Sequence, residues 1–303
     1  MSILKKSWAY IGNSSLWQKF GKGLWFALFR VPPKRLAGKL LVSILPNSYI
    51  NKVKGKIWAD KNFFEDLIIS AIAGQYHSLE NNKRTQLNKK EFWGAIAGDS
   101  WHDERETFYS KSPEIAFAGR QWFIDKIKDE LKMSTEIATL IEIGTGNGVF
   151  LDYLSRQLPE VKKFVGLDLN SNTITKAKGQ FKNNQSLEFY DEDLFDYLLS
   201  SGSKGFILVV CDTLSYFPME DLEAFFKSIR NPDFGKVVVA TYEYVDMDIN
   251  SEFDSIPKGN IGLSHNHPYL AKKVGLYVRD FYVKNLDPSA PRQNSISMIA
   301  RNF

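Results

Sequence analysis

Three features of the chain could do chemistry. The first is a run of glycines at alternate positions, Glu142-Ile-Gly144-Thr145-Gly146-Asn-Gly148, directly after the apolar pair Leu140-Ile141. Glycine lets a backbone turn sharply and approach a ligand with no Cβ in the way. A helix that begins there offers unpaired N–H groups. Twenty residues beyond Gly148 stands Asp168, at the end of a second apolar segment, where a carboxylate can grip ribose hydroxyls. The second feature is the acidic run Asp191-Glu192-Asp193, which follows a third apolar segment. The third is the pair His265 and His267 in Gly262-Leu-Ser-His265-Asn-His267-Pro-Tyr269. Two residues apart in an extended loop, both rings would point to one side, and a histidine titrating near working pH serves as a general base. Each feature also has a plainer reading: a strand-to-helix turn, a solvated acidic loop, and capping or hydrogen-bonded histidines.

A dinucleotide fingerprint needs G-x-G-x-x-G/A. Here the third glycine comes one residue early, and Val149 stands at the fingerprint's third position. Glu142, two residues before the first glycine, gives the pattern Glu/Asp-x-Gly-x-Gly-x-Gly. With Asp168 and Asp193 in order behind it, this segment resembles the cofactor-binding half of class I S-adenosylmethionine (SAM) methyltransferases. The resemblance covers about 136–303 and implies SAM as cofactor. It implies that Glu142, Gly144, Thr145, Gly146 and Gly148 wrap the amino-acid part of SAM. Asp168 with Leu169 would then hold the ribose, and Asp193 with Leu194 the adenine. Family members often hold the SAM carboxylate with an upstream basic residue, and Arg120, in Phe117-Ala-Gly119-Arg120, is the candidate; a surface arginine is the plainer reading.

The elements that must position these residues alternate. Strand-like segments at Thr139–Ile143, Lys163–Asp168, Ser186–Tyr190, Phe206–Cys211 and Lys236–Tyr242 are separated by helix-like ones at Val149–Leu158, Asn172–Phe181 and Met219–Ile229. Alternation of this kind predicts a parallel sheet. Leu276–Lys284 and Ser295–Arg301 suit an antiparallel hairpin at its edge. The expected fold is α/β: a Rossmann-like, seven-stranded, mostly parallel sheet with an antiparallel C-terminal hairpin, plus an N-terminal helical extension. Three regions are expected: a basic amphipathic arm over 1–59, a helical cap or substrate region over 60–135, and the SAM-binding domain over 136–303. In the cap, Phe64, Ile68, Ala71 and Ile72 make one apolar face. Ile115, Phe123, Ile127 and Leu131 make another, behind a helix start at Ser112–Pro113.

The arm holds eleven basic side chains and no acidic one before Asp60, in a chain of net charge only +4, so everything after residue 59 is net acidic. Leu16, Phe20, Leu24 and Leu28 recur every four residues with Trp17 and Trp25 beside them, an amphipathic pattern ended by Pro32–Pro33. Apolar aromatics ringed by lysines suit a membrane surface, and tryptophans favour that interface. Packing on the catalytic domain and RNA binding are the alternatives. The longest apolar run in the arm, Leu24–Phe29, is far short of the roughly 20 residues that span a bilayer. Cys211 is the only cysteine, which excludes a disulfide framework and points to a cytoplasmic setting, with the arm on the inner face of the membrane.

For the transfer step, the base candidates are His265 and His267. His102, beside Asp99, Asp103 and Glu104, could belong to a lid, and Asp212 closes the fourth strand, where the family's transferred methyl lies. Asp212 with His265 or Glu243 could ligate a metal, but no three-ligand set is evident and no metal is expected. Enzymes that methylate exocyclic base nitrogens carry an Asn/Asp-Pro-Pro-Tyr-like motif at this strand end, and cytosine-C5 enzymes a Pro-Cys nucleophile. Val210-Cys211-Asp212-Thr213 is neither, so nucleic acid is disfavoured. The expected reaction is O-methylation of a sugar hydroxyl on a lipid-linked or surface-polysaccharide acceptor, in line with the similarity of the whole chain to sugar O-methyltransferases. A lipid-like or secondary-metabolite acceptor, and a SAM-binding scaffold without turnover, are the alternatives.

Overall fold

A computed structural model describes residues 31–54, 62–78, 112–258, 262–286 and 292–303. The amphipathic stretch Leu16–Leu28 and the cluster around His102 lie outside the described residues. The chain divides into two compact units, Met1–Ser78 and Leu79–Phe303.

In the first unit, α1 (Val31–Ile44), α2 (Asn47–Lys54) and α3 (Phe63–Ser78) are helical. Pro32 and Pro33 sit in the first turn of α1, where a missing N–H costs no helical hydrogen bond. Gly38 lets α1 approach α3 closely: a Cβ there would lie 1.9 Å from the Leu67 carbonyl oxygen. Ile68 and Ala71 are buried as expected, whereas Phe64 is exposed because it falls in the first turn of α3, before the helix reaches its packed face. No described helix is long and apolar enough to cross a membrane.

Among the described residues, the second unit opens with α4 (Pro113–Phe117), a 3-10 turn over Ala118–Arg120, and α5 (Gln121–Met133). The turn breaks the expected face in two: Phe123, Ile127 and Leu131 are buried, and Ile115 is exposed. The chain then builds β1 (Thr139–Ile143), α6 (Val149–Gln157), β2 (Lys163–Leu167), α7 (Ser171–Gln180), β3 (Leu187–Tyr190), α8 (Leu194–Ser201), β4 (Phe206–Cys211), α9 (Met219–Ile229) and β5 (Val237–Asp246). A small hairpin, β6 (Ile256–Lys258) with β7 (Gly262–Ser264), leads to α10 (His267–Lys273), β8 (Tyr277–Asn285) and β9 (Gln293–Arg301).

Seven strands form one sheet in the order β3-β2-β1-β4-β5-β9-β8. The first five are parallel, and β9 lies antiparallel between β5 and β8. This is the expected Rossmann-like sheet, with an edge β8 and its last strand placed inward. Alternation along each strand feeds two cores. Leu140, Ile207 and Val209 pack with α5, α6 and α7 on one face. Ile141, Leu208 and Val210 pack with α8, α9 and α10 on the other. Strand order reverses between β1 and β4, and in open α/β sheets such a switch point leaves a crevice at the carboxyl ends of the strands.

Two differences from expectation have local causes. β5 runs four residues past Tyr242 because β9 continues to pair with it as far as Asp246. The supposed loop around His265 is instead the end of β7 and the start of α10: Pro268 suits a first helical turn, and the Asn266 side chain accepts from the Tyr269 N–H to cap it.

Candidate cofactor site

The crevice at the switch point is a cavity of about 340 Å³. Gly144, Asp168, Leu169, Asp193, Leu194 and Asp212 line it, together with Thr213, Phe217 and the face of α9 around Phe225. The first six follow the ends of four parallel strands, β1 to β4, so the sheet gathers side chains that lie far apart in sequence.

The glycine loop takes its shape from three positive φ angles: 70° at Gly144, 55° at Gly146 and 78° at Gly148. L-residues rarely adopt that region. Space is limiting as well, since a Cβ on Gly144 would fall 2.2 Å from Thr213 Oγ1 and one on Gly148 2.5 Å from the Phe189 ring. The Gly144 and Thr145 N–H groups donate to the Leu167 carbonyl, folding the loop over the end of β2.

Asp168 organises this corner. Its Oδ2 accepts from the Gly146 N–H at 2.9 Å and its Oδ1 from the Asn170 N–H at 3.0 Å. Each carboxylate oxygen carries two lone pairs, so a vicinal diol in the cavity still finds acceptors. Asp193 caps α8, accepting from the Phe195 and Asp196 N–H groups through one oxygen at 2.9 and 3.1 Å. The helix α8 is short, and in the sequence only this cap marks its start.

Glu142 sits behind the wall. It is buried, and its Oε2 accepts from Thr145 Oγ1 at 2.7 Å. Burial raises its carboxyl to about 8, against which the Thr145 hydrogen bond acts. Its visible partner is therefore the loop itself. Arg120 is not the surface arginine of the plainer reading. It is buried, ion-paired through Nη2 to Asp212 Oδ2 at 2.9 Å, and flanked by the rings of Phe117, Phe150 and Tyr242 at 5.1, 5.1 and 4.7 Å. A ligand carboxylate would have to share it with Asp212. Asp212 itself has φ 54°, the only positive value at a non-glycine among the described residues. Such strain persists only where surrounding contacts over-determine it, and it gathers at functional sites.

The histidine pair does not stand where an extended loop would put it. His265 and His267 are in the interior, and neither lines the cavity. His265 Nδ1 lies 2.6 Å from Ser255 Oγ, and the two rings are 6.0 Å apart. Burial pushes His265 down to about 4 and His267 well below its ordinary value. Burial thus disfavours the charged form of both rings. Among the described residues, no three His, Cys, Asp or Glu side chains gather as metal ligands.

Residues 140–231 match the family model of a methyltransferase domain. The segment that holds the glycine loop, Asp168 and Asp193 is thus similar to a methyltransferase domain. The solved structures it is similar to include magnesium protoporphyrin IX methyltransferase from Synechocystis PCC 6803 with bound SAH, S-adenosylhomocysteine. That structure is 14% identical with a TM-score of 0.46, over 72% of this chain and 98% of that one. They also include a SAM-dependent methyltransferase from Aquifex aeolicus (15% identity, TM-score 0.37, 55% and 82% of the two chains) and the cyclopropane synthase MmaA2 from Mycobacterium tuberculosis (9%, 0.42, 55% and 78%). No curated protein matches the chain. None of these likenesses assigns an acceptor.

The residues present fit SAM. Gly144 brings backbone to the cavity wall, Asp168 offers acceptors to a ribose, and Asp212, ion-paired to Arg120, puts a carboxylate at the end of β4.

Proposed function

We propose that this domain transfers the SAM methyl group to a sugar hydroxyl on a lipid-linked or polysaccharide acceptor. The observation that carries the cofactor half is the cavity wall formed by Gly144, Asp168 and Asp193 at the strand-order reversal. SAM would supply an electrophilic methyl on sulfur. An acceptor hydroxyl would take that methyl in exchange for its proton, which would pass to water, and SAH would be the leaving group. The residues of the chain would contribute positioning, which accounts for much of such catalysis. Asp168 would fix the ribose, Asp193 with Leu194 the adenine end, and Arg120 with Asp212 the amino-acid end. Asp212 lines the cavity at the end of β4, whereas the buried His265 and His267 do not.

The acceptor half rests on the chain's N-terminal charge. Residues 1–59 carry no acid, and within the first unit Leu40 and Ile44, one helical turn apart on α1, are exposed. Each basic residue near an anionic leaflet contributes about 1 kcal/mol, which favours an acceptor presented at a membrane surface.

Calorimetric titration with SAH, followed by a mass-spectrometric search for methylated products among nucleotide- and lipid-linked sugars, tests both halves. SAH binding with a +14 Da sugar product supports the reading. SAH binding with no product from any acceptor supports a SAM-binding scaffold instead. Co-sedimentation with phosphatidylglycerol vesicles, compared with a chain lacking residues 1–59, tests the arm; equal binding by the two removes the membrane from the proposal.

A further inference from the structure

The turn after β4 carries two residues of the cavity wall, Asp212 and Thr213, and a reason is needed for its stability. Asp212 is in the left-handed region, which costs about 1–3 kcal/mol for a non-glycine residue. The following 3-10 turn, Leu214–Tyr216, begins at Thr213, whose own side chain makes no capping hydrogen bond. Left alone, the first N–H groups of that turn would be orphaned inside the protein.

The cap comes from another strand. β4 pairs with β5 in parallel as far as Cys211 opposite Tyr242, and Glu243 is the first residue of β5 beyond that last pair. Its side chain is fully buried. One oxygen, Oε1, accepts from both the Thr213 N–H at 2.8 Å and the Leu214 N–H at 2.7 Å. The other, Oε2, is buried with no hydrogen-bond partner. Thr213 in turn backs onto the glycine loop: Oγ1 donates to the Cys211 carbonyl at 3.0 Å and occupies the space a Cβ on Gly144 would need. A continuous line of contacts thus runs from Glu243 through Thr213 to Gly144.

We propose that Glu243 is a positioning residue for cofactor binding, clamping the Asp212–Leu214 turn against Gly144 through two backbone N–H groups without lining the cavity itself. The proposal rests on the SAM reading above. It makes reach, rather than charge, the property that matters. Burial and the neighbouring Asp212 charge raise this carboxyl above its ordinary value, so a neutral group with the same oxygen in the same place keeps both backbone contacts. Glutamine has that oxygen. Aspartate keeps the charge but falls one methylene short, and leucine fills the space without an acceptor.

The test is a set of four variants of the full chain: Glu243→Gln, Glu243→Asp, Glu243→Leu and, as a control for general destabilisation, Glu130→Gln. Glu130 is equally buried but binds Arg279 and Arg301, away from the cavity. SAH affinity is measured by calorimetry, melting temperature by circular dichroism, and amide exchange over 211–217 by mass spectrometry. The expected result is SAH affinity within about threefold of wild type for Glu243→Gln, and at least about tenfold weaker for Glu243→Asp and Glu243→Leu, the loss that follows when buried donors lose their acceptor. Exchange over 211–217 should quicken in the same two variants. Glu130→Gln should lower the melting temperature and leave both other readouts in place. The proposal is overturned if Glu243→Asp binds SAH like wild type with unchanged exchange, or if Glu130→Gln weakens SAH as much as Glu243→Asp does. Should Glu243→Leu fail to fold, the Gln and Asp pair decides alone. Wild-type protein that binds no SAH would overturn the SAM reading and the coupling together, while the exchange data still report whether Glu243 holds the turn.

Discussion

Two buried glutamates in the second unit do opposite things with their oxygens. Glu130, on α5, gives one oxygen to Arg279 of β8 and the other to Arg301 Nε of β9, the latter at 2.7 Å. Glu243 gives one oxygen to two backbone N–H groups and leaves the other unpaired. The first cluster is a satisfied tie between a helix and the sheet. The second lies in a neighbourhood of incomplete partners, where Arg120 Nε, His265 Nε2 and His267 Nδ1 also lack them. Burying a polar group without a partner costs free energy, so stability is concentrated around Glu130 and relinquished around the cavity, where the chain must instead hold a strained turn and an open space.

The sharpest way to break this comparison is to remove Glu130. Glu130→Ala leaves two arginines facing each other at a half-buried site, and unfolding free energy should drop by about 3 kcal/mol, with SAH affinity per folded molecule unchanged; urea denaturation and calorimetry check the two halves. Next comes Asp168→Ala, which takes acceptors from the expected ribose position. Here SAH affinity should fall about 30-fold, roughly 2 kcal/mol, the denaturation midpoint should drop as the Gly146 and Asn170 N–H groups lose their acceptor, and retention of full affinity would remove Asp168 from the site. Gly148→Ala should cost about 1–2 kcal/mol in both stability and binding, because φ 78° is strained for alanine and its Cβ would meet Phe189; a neutral result would show that the loop can relax.

The smallest effect is one of pH. Unfolded histidine binds a proton near 6.5, whereas His265 in the folded chain does so only near 4. Between these values the unfolded state holds more protons, so stability present above about pH 6.5 is lost as pH falls toward 4. A melting-temperature series from pH 7.5 to 5 should therefore slope downward on acidification. The double variant His265→Gln with His267→Gln should flatten it.

Much of the fold was legible because strands and helices alternate with clear apolar runs. β1 and β4 have their expected bounds, and α9 matches residue for residue. The glycine loop and Asp168 were legible for the same reason: their chemistry is local in sequence. Long-range partners were not. Arg120 meets Asp212 across 92 positions, and nothing near Phe117-Ala-Gly119-Arg120 announces that pairing. Glu243 acquires its role only from the register of β4 on β5. His265 and His267 misled because alternation suggested an extended loop, while Asn266 and Pro268 were starting a helix in the interior.

The placement of α5 has a consequence in time. Its leading turn presents Arg120 to Asp212, and its far end is tied by Glu130 to Arg301, 171 positions along the chain. Contacts so distant in sequence form late, because the loops they close must first be ordered. The Arg120–Asp212 pair beside the crevice, 92 positions apart, is therefore expected to close after the local helices have formed. On dilution from denaturant, helical ellipticity should return before the capacity to capture SAH, and ligand capture becomes a clock for the final step of refolding.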